Sequence, residues 1–287
     1  MTTILRECFF EYAGRYSGEY NLILAYVSDT NDSFVSGGSY TPSVDTIPAL
    51  AESVLYSIKY GEKPLEFSIE IVNPDENIPA KQFSEIKDWL FGQDGWKKFI
   101  PESEDYEGLY LKCLLIPDSD IVDGTGYRGV KCTLKNISGF WYGEEKTVEY
   151  TSEDFAARPG VNYKYLYPEI ETQFNGCIYP TVTIQTANST NSDFLCELIN
   201  YVSDDVPVSK RSSFRTELVA DTEEEYVIDT RHGIITCDGT KELPENLNTS
   251  MSLLHFYRGK NKLRVPTGGY ITNLKIKYTP CYRVGGF

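Results

Sequence analysis

The segment of residues 78–91 limits most strongly what this 287-residue chain can fold into, because it holds the clearest helix pattern in the sequence. Charged and amide side chains alternate there with apolar ones that recur at the spacing of one helix face. The apolar face consists of Phe83, Ile86, Trp89 and Leu90. Pro79 suits the first turn, Asn77 is positioned to cap it, and Gly92 ends the pattern. We therefore predict one amphipathic helix.

Short aromatic and β-branched runs follow this helix. The runs 96–100 and 109–116 are separated by Pro and Gly, as expected for strands. The chain has 22 Tyr and 14 Phe against 2 Met, a composition that suits pleated sheets better than helix bundles. The sequence therefore predicts a mainly β fold in which one helix lies against a sheet.

The first half of the chain contains further strand patterns around the helix. They are predicted at Leu5–Tyr12, Tyr20–Val27, Glu52–Tyr60, Leu65–Val72 and Arg128–Lys135, with Phe140–Tyr142 closing the block. The polar segment Ser28–Pro48 is predicted to be a loop. A turn at residues 61–64 is expected to join the third and fourth strands into a hairpin.

A cluster of acidic and turn residues between 143 and 160 suggests a domain boundary. We predict two domains, residues 1–147 and residues 148–287. The second contains only strand patterns separated by frequent turns, which predicts an antiparallel β-sandwich. Its strands are predicted at Val182–Gln185, Phe194–Val202, Phe214–Ala220, Tyr226–Asp229, Gly233–Cys237, Leu253–Tyr257, Lys262–Val265 and Leu274–Tyr278.

The net charge of −15 argues against a protein that binds duplex DNA, because Lys and Arg normally supply most of that affinity. Residues 1–147 contain 13 basic and 24 acidic side chains, whereas residues 148–287 contain 14 and 18. The acidic excess therefore lies mainly in the first half. Solubility alone is a sufficient explanation for such an excess.

The seven cysteines are widely scattered and form no C-x-x-C pair. The start of the chain lacks the apolar core of a signal peptide, and no apolar run is long enough to span a bilayer. We therefore expect free, mostly buried thiols in a protein made in a reducing cytosol. The cysteines are Cys8, Cys113, Cys132, Cys177, Cys196, Cys237 and Cys281.

Two glycine- and aspartate-rich motifs resemble ligand sites only superficially. Gly124 to Gly129 spells G-x-G-x-x-G, but a dinucleotide loop needs a strand before it and a helix after it. An acidic loop precedes the motif here and a strand follows, which predicts a hairpin. Residues 118–124 carry three Asp, yet Val122 replaces an oxygen ligand of an EF-hand, so a solvated turn is expected.

No residue pattern predicts catalysis. Asp204-Asp205 and Glu223–Glu225 could in principle supply paired carboxylates, but nothing in the sequence fixes their separation. His232 and His255 are the only histidines, and no Ser or Cys near them lies in the setting of a nucleophile. We predict no catalytic residues, no metal ligands, no cofactor and no enzymatic activity.

Several of these features together resemble the distal tail proteins of long-tailed, siphovirus-type bacteriophages. The helix with Trp89-Leu90 precedes the aromatic strands and Phe140–Tyr142, as in the N-terminal domain of that family. The end of the chain is similar as well. There, a Gly259-Lys-Asn261 turn precedes a final strand that closes with Tyr-x-Pro at residue 280.

This resemblance implies a homohexameric hub that joins the tail tube to the tail-tip protein and the adsorption apparatus. The N-terminal domains would form the ring, and a galectin-like β-sandwich would project from it. A receptor-binding protein is a further possible partner, and DNA would pass through without specific binding. The resemblance implies a place in the virion tail, after assembly in the host cytoplasm.

Two expectations follow for the surface. We expect the edge strands of the N-terminal domain to be long and aromatic and to be covered by neighbours in the ring. We also expect acidic residues of the first half to line the channel. An alternative is a carbohydrate-binding adhesin. All three tryptophans, Trp89, Trp96 and Trp141, lie in the first half, so the second domain lacks the usual stacking platform for sugars, and we prefer a scaffold.

Overall fold

Two compact units make up the computed structural model: Met1–Gly143 with Cys281–Phe287, called here the N-terminal unit, and Glu144–Pro280, the C-terminal unit. The prediction divided the chain after residue 147 and assigned the final residues to the second domain. That these are two separately folding domains stays a prediction. The structure describes residues 7–27, 39–46, 53–61, 66–124, 126–155, 162–188, 194–201, 211–218, 222–239, 254–268 and 270–283.

The N-terminal unit is built on a seven-stranded antiparallel sheet in the order β2-β1-β7-β8-β9-β6-β3. A separate pair, β4 and β5, forms a two-stranded sheet. The elements are β1 (Phe10–Tyr12), β2 (Arg15–Tyr16), β3 (Ile23–Val27), β4 (Ser39–Thr46), β5 (Ser53–Gly61), β6 (Glu66–Val72), α1 (Ala80–Phe91), β7 (Lys97–Pro101), β8 (Leu111–Asp123), β9 (Gly126–Asn136) and β10 (Trp141–Tyr142).

The predicted helix is confirmed. It buries the predicted apolar face, and the indole Nε1 of Trp89 donates a hydrogen bond of 2.9 Å to the carbonyl of Tyr12 in β1. Asn77 was wrong as the cap: Pro79 is the N-cap residue, and its carbonyl accepts the first helical bond from the Phe83 N–H at 2.8 Å. The extended ψ of 141° at Pro79 starts the helix one residue later than the sequence suggested.

The sheet curls toward closure. The Leu24 N–H in β3, at one edge, donates to the Cys8 carbonyl at 3.0 Å, and the Glu7 N–H donates to the Leu24 carbonyl. Cys8 lies just before β1, near the opposite edge of the sheet. The antiparallel sheet therefore approaches a barrel, and the buried face of α1 packs into the same apolar core as its strands.

Two predictions for the region before the helix are wrong. Residues 39–46, inside the predicted loop, form a strand that pairs with β5, whereas residues 28–38 lie outside the described part. The strand β6 pairs with β3 and β9, not with β5. A polar segment can still form a strand, because Thr favours strands as well as loops. A turn signal shows only that the chain reverses, not which strand it meets.

The C-terminal unit consists of two main antiparallel sheets, in the orders β11-β21-β14-β17-β18 and β12-β20-β15-β16. Both supply side chains to one apolar core, so the predicted antiparallel sandwich and the mainly β fold class are confirmed. The strands are β11 (Lys146–Thr151), β12 (Tyr163–Leu166), β13 (Glu169–Ile170), β14 (Thr181–Asn188), β15 (Phe194–Asn200), β16 (Ser212–Leu218), β17 (Thr222–Asp229), β18 (Ile234–Cys237), β19 (Gly259–Lys260), β20 (Leu263–Pro266) and β21 (Ile271–Tyr278).

Differences from the predicted strands concentrate where partners are distant in sequence. Leu253–Tyr257 was predicted as a strand, but among its described residues, 254–257, only Phe256 pairs, through an isolated bridge to Ile178. The strand β11 was missed because its acidic and Thr-rich sequence lies in the predicted boundary, although it pairs with β21 over its whole length. After β21 the chain returns to the N-terminal unit, where β22 (Cys281–Tyr282) pairs with β10.

The seven cysteines are free thiols, four of them buried. Burial raises the pKa of Cys132 to about 12 and that of Cys237 to about 11, so both remain protonated at neutral pH. Among the helices that the structure describes, none is long and apolar enough to cross a bilayer.

Candidate assembly and binding surfaces

The hairpin formed by β8 and β9 extends beyond the core of the N-terminal unit. Alternate residues of β8 are buried as far as Leu115, but from Ile116 to Asp123 the strand is almost wholly exposed. We call residues 116–123 the acidic arm. It was predicted to contain a loop, and this was wrong, because two register shifts in the β8–β9 ladder let pairing continue past Pro117.

The acidic arm combines carboxylates with exposed apolar side chains. Ile116 is 44% exposed and Val122 is 65% exposed. Two of its carboxylates have partners in the same unit: Asp120 lies 2.9 Å from the Lys87 ammonium on α1, and Asp118 accepts a hydrogen bond from the Thr133 hydroxyl. The arm is thus a partly fixed strand of the projecting hairpin, with apolar side chains available for contact.

The glycines of the G-x-G-x-x-G motif serve the hairpin, as predicted. Gly124 has a φ of +38° at the turn, where a side chain would be strained. At Gly129 an added Cβ would lie 2.0 Å from the Ile71 carbonyl oxygen of the neighbouring strand. The motif therefore permits a tight turn and close strand contact, and no helix follows it to bind a pyrophosphate.

The edges of the seven-stranded sheet are short. The strand β2 has two residues and β3 has five. Tyr16 of β2 is largely exposed, and its hydroxyl donates a 2.6 Å hydrogen bond to Glu102. The edges of this sheet are therefore not long aromatic strands, whereas β4 and β5 form a separate two-stranded sheet and are eight and nine residues long. The acidic arm is a further extended candidate for contact with another molecule.

In the C-terminal unit, the outward side of the sheet β12-β20-β15-β16 carries interleaved tyrosines and cations. We call this surface the aromatic–cationic face. Among the residues that the structure describes, its tyrosines are Tyr163, Tyr165 and Tyr201, and its cations are Arg211, Arg215, Lys262 and Arg264. Strand register brings them together, because Tyr165 is paired with Arg264 and the Tyr201 N–H bonds to the Lys262 carbonyl at 2.8 Å.

Each tyrosine of this face has a cation near its ring. The Arg211 guanidinium lies 4.6 Å from the Tyr201 ring centre and the Lys262 ammonium 4.5 Å from that of Tyr165. Arg264 lies near two rings, and it also forms an ion pair with Glu197, which is only 17% exposed in its side chain. The side chains are thus held in place by their neighbours.

An open polar hollow of about 360 Å³ is lined by Glu223–Glu225, Asp238 and Gln185. Glu223–Glu225 are the residues considered above as possible paired carboxylates. Glu225 accepts a 2.9 Å hydrogen bond from Gln185, and its N–H donates to Asp238. In the part of the chain that the structure describes, no three acidic, His or Cys side chains are grouped as a metal site would require. Asp204-Asp205 lies outside the described residues.

The two histidines have different surroundings. His232 lies in an exposed turn, where its Nδ1 is 2.6 Å from the Asp229 carboxylate. His255 lies beside the rings of Tyr179 and Tyr257. No described contact joins the two histidines, and each is explained by its local packing.

Comparison with known proteins gives a family match within the N-terminal unit. Residues 8–138 match the family model described as phage tail protein N-terminal domain. The matched segment spans the seven-stranded sheet, α1 and the acidic arm. No curated protein matches the chain.

The fold of the whole chain is that of a distal tail protein. The crystal structure of the Dit protein of phage SPP1, described as a paradigm of the hub adsorption apparatus in phages of Gram-positive bacteria, aligns with a TM-score of 0.58 at 11% identity. The alignment covers 96% of this chain and 99% of that chain. The predicted resemblance to distal tail proteins is thereby confirmed.

Two structures of the activated baseplate of phage p2, with Sr and with Ca, give weaker matches. Their TM-scores are 0.48 and 0.49 at 12% identity, and they cover 94% and 95% of this chain. The alignments cover 97% and 98% of the p2 chains.

Proposed function

We propose that this chain is a structural hub protein whose N-terminal units form a six-membered ring between the tail tube and the tail tip. The observation that carries the proposal is the family match over residues 8–138, together with a distal tail fold over 96% of the chain. In this proposal the chain has no catalytic role, and the C-terminal unit is a galectin-like scaffold.

A closed ring of identical subunits needs two different surfaces that meet in a head-to-tail contact. The acidic arm is a suitable candidate for one of them, because it projects from the sheet and exposes Ile116 and Val122 beside carboxylates. Burial of these two side chains against a neighbouring copy would remove apolar surface from water.

The ring would be stacked with the tail tube protein on one side and the tail-tip protein on the other. A receptor-binding protein could join at the periphery, and the assembly would form in the host cytoplasm before it enters the virion. DNA would pass through the ring. The acidic excess of the first half favours a channel wall that repels phosphate and does not retain DNA.

Native mass spectrometry and negative-stain imaging of the purified full chain test this proposal. We expect six-fold rings with peripheral lobes, and a double variant Ile116→Lys with Val122→Lys should weaken ring formation by about tenfold or more, because charged groups would be buried. Ile234→Lys, at an exposed apolar position of the C-terminal unit, is the matched control. Monomers alone at high concentration would refute the hub, whereas rings unaffected by the double variant would refute only the role of the arm.

A further inference from the structure

We propose that the aromatic–cationic face of the C-terminal unit is a docking surface for an acidic, aliphatic segment of a partner protein. The proposal concerns the outward side of one sheet of the sandwich. It does not depend on formation of the ring, because every residue that carries it lies within the C-terminal unit.

The face has the layout of a protein interface, with an apolar centre and a charged rim. Ile199 occupies the centre, because its backbone is paired with Arg264 on one side and Ser213 on the other. Leu195 on the same strand and the same side is 53% exposed, and Tyr163 on β12 is 47% exposed. Tyr and Arg are the residue types that most often dominate binding at such surfaces.

Charge defines what the partner must present. Among the side chains that the structure describes on this face, four are cationic and one is a carboxylate. The cations are Arg211, Arg215, Lys262 and Arg264, and the carboxylate is Glu197. Glu197 forms ion pairs with both Arg215 and Arg264. The local excess of cations on this face favours a partner that presents carboxylates.

The arrangement of the rings favours a polypeptide over a sugar. A sugar stacks its C–H face on an open aromatic ring, but here the Arg211 guanidinium, the Lys262 ammonium and the Arg264 guanidinium lie within 4.5 to 5.9 Å of the tyrosine ring centres. Aliphatic side chains can still contact Ile199 and Leu195, while carboxylates pair with the surrounding cations. An extended segment with alternating acidic and aliphatic residues satisfies both requirements.

Titration of the purified full chain with defined probes tests the proposal. The probe is an acetylated peptide of alternating Glu and Leu, and the comparison probes are its Gln-Leu counterpart, polygalacturonate and single-stranded DNA. We expect the Glu-Leu peptide to bind, the Gln-Leu peptide to bind about tenfold more weakly or worse, and the double variant Arg211→Gln with Lys262→Gln to lose about tenfold in affinity.

The matched control is Arg231→Gln with Arg258→Gln, which removes the same charge from exposed positions of the same unit. It should change affinity by less than about twofold. Hydrogen exchange of the wild-type chain with bound peptide should show protection at residues 163–165 and 262–264, which keeps the test valid if the double variant does not fold.

Three outcomes would overturn the proposal. The first is no binding of the Glu-Leu peptide. The second is an equal loss in the control variant, which would mean diffuse electrostatic attraction. The third is tighter binding of polygalacturonate or DNA that the Arg211→Gln with Lys262→Gln variant abolishes, which would assign the face to another class of polymer.

Discussion

The two units of this chain are both β-rich, but they are stabilised in different ways. The N-terminal unit gathers aromatic rings around one side chain of its helix α1. The C-terminal unit spreads aliphatic side chains between two sheets and fixes the connecting loops with buried amides. Two units with similar strand content can therefore differ in their core contacts, which are concentrated on one residue in the first unit and distributed over many in the second.

Trp89 is the centre of the concentrated core. Its indole is stacked with the rings of Phe10 at 6.1 Å and Tyr20 at 5.9 Å between ring centres, and its N–H bonds to β1. Arg15 also lies 5.4 Å from the indole. The contacts of Trp89 therefore connect α1 to the first strand and to the turn that precedes β3.

Asn261 is the corresponding point in the C-terminal unit, although it is polar. Its side chain is fully buried, donates to the carbonyls of Tyr257 and Gly259, and accepts from the Tyr257 N–H at 3.0 Å. It also accepts a hydrogen bond from Asn200, which in turn donates to the His255 carbonyl. This network satisfies backbone groups of a loop that sheet pairing leaves unpaired.

The largest expected effect is that of Trp89→Ala. Removal of a buried tryptophan and its hydrogen bond should destabilise the N-terminal unit by about 3–5 kcal/mol. All three tryptophans lie in this unit, so the fluorescence of Trp96 and Trp141 during urea unfolding reports on it alone. Hydrogen exchange in the strands of the C-terminal unit should change little if the core of that unit is stabilised independently of Trp89.

Trp96→Ala is the control for this prediction, because Trp96 is 42% exposed. Its effect should stay below about 1 kcal/mol. If both variants cost the same, or if Trp89→Ala lowers protection equally in both units, the N-terminal core is not concentrated on Trp89.

Asn261→Ala should have the next largest effect, a loss of about 2–3 kcal/mol in the C-terminal unit. The substitution leaves a buried N–H and two carbonyls without their partner, and an unpaired buried polar group costs about 1–3 kcal/mol. Loss of hydrogen-exchange protection at Tyr257 and Asn200 measures it. Asn162→Ala, at an exposed position of the same unit, should be nearly silent, and a similar effect of the two variants would contradict the role of the network.

The sequence predicted well what depends on local periodicity. The buried face of α1 repeats every three or four residues, and that of β6 repeats every second residue, so both elements could be predicted. The strand β4 was missed because its polar sequence, rich in Ser and Thr, lacks apolar alternation. The strand β11 was missed because its apolar alternation, Val148 and Tyr150, is short and lies in the segment predicted as the domain boundary, and because its partner β21 is far away in sequence.

The surfaces could be predicted only in part. The exposed length of the acidic arm depends on strand pairing that continues past Pro117. A proline normally indicates the end of a strand, so the sequence predicted a shorter one. The aromatic–cationic face assembles residues from four strands, so no single segment contains it. A partial signal was present, because Tyr163 and Tyr165, like Lys262 and Arg264, are spaced two apart and must lie on the same side of a strand.

The smallest expected effect, that of Asp229→Asn, tests whether exposed polar groups of the C-terminal unit matter less than its buried amides. Asp229 accepts hydrogen bonds from the backbone N–H groups of Arg231 and His232 and lies 2.6 Å from the His232 ring. Partial burial opposes its ionisation, but the bonds from His232 and Arg231 outweigh burial and lower the pKa of the carboxyl below its ordinary value of 3.8.

A lowered folded-state pKa stabilises the fold above the unfolded pKa, and this contribution is lost as pH falls below 3.8 through the depressed value. The turn is exposed, so we expect Asp229→Asn to cost only about 0.5–1 kcal/mol at neutral pH and less in acid. Urea unfolding at neutral pH and in acid, followed by tyrosine circular dichroism, measures the free energy that the substitution costs. The control is Glu153→Gln, at an exposed position. If Asp229→Asn costs more stability in acid than at neutral pH, ionised Asp229 does not stabilise the fold. If it costs as much as Asn261→Ala, the exposed turn matters as much as the buried network.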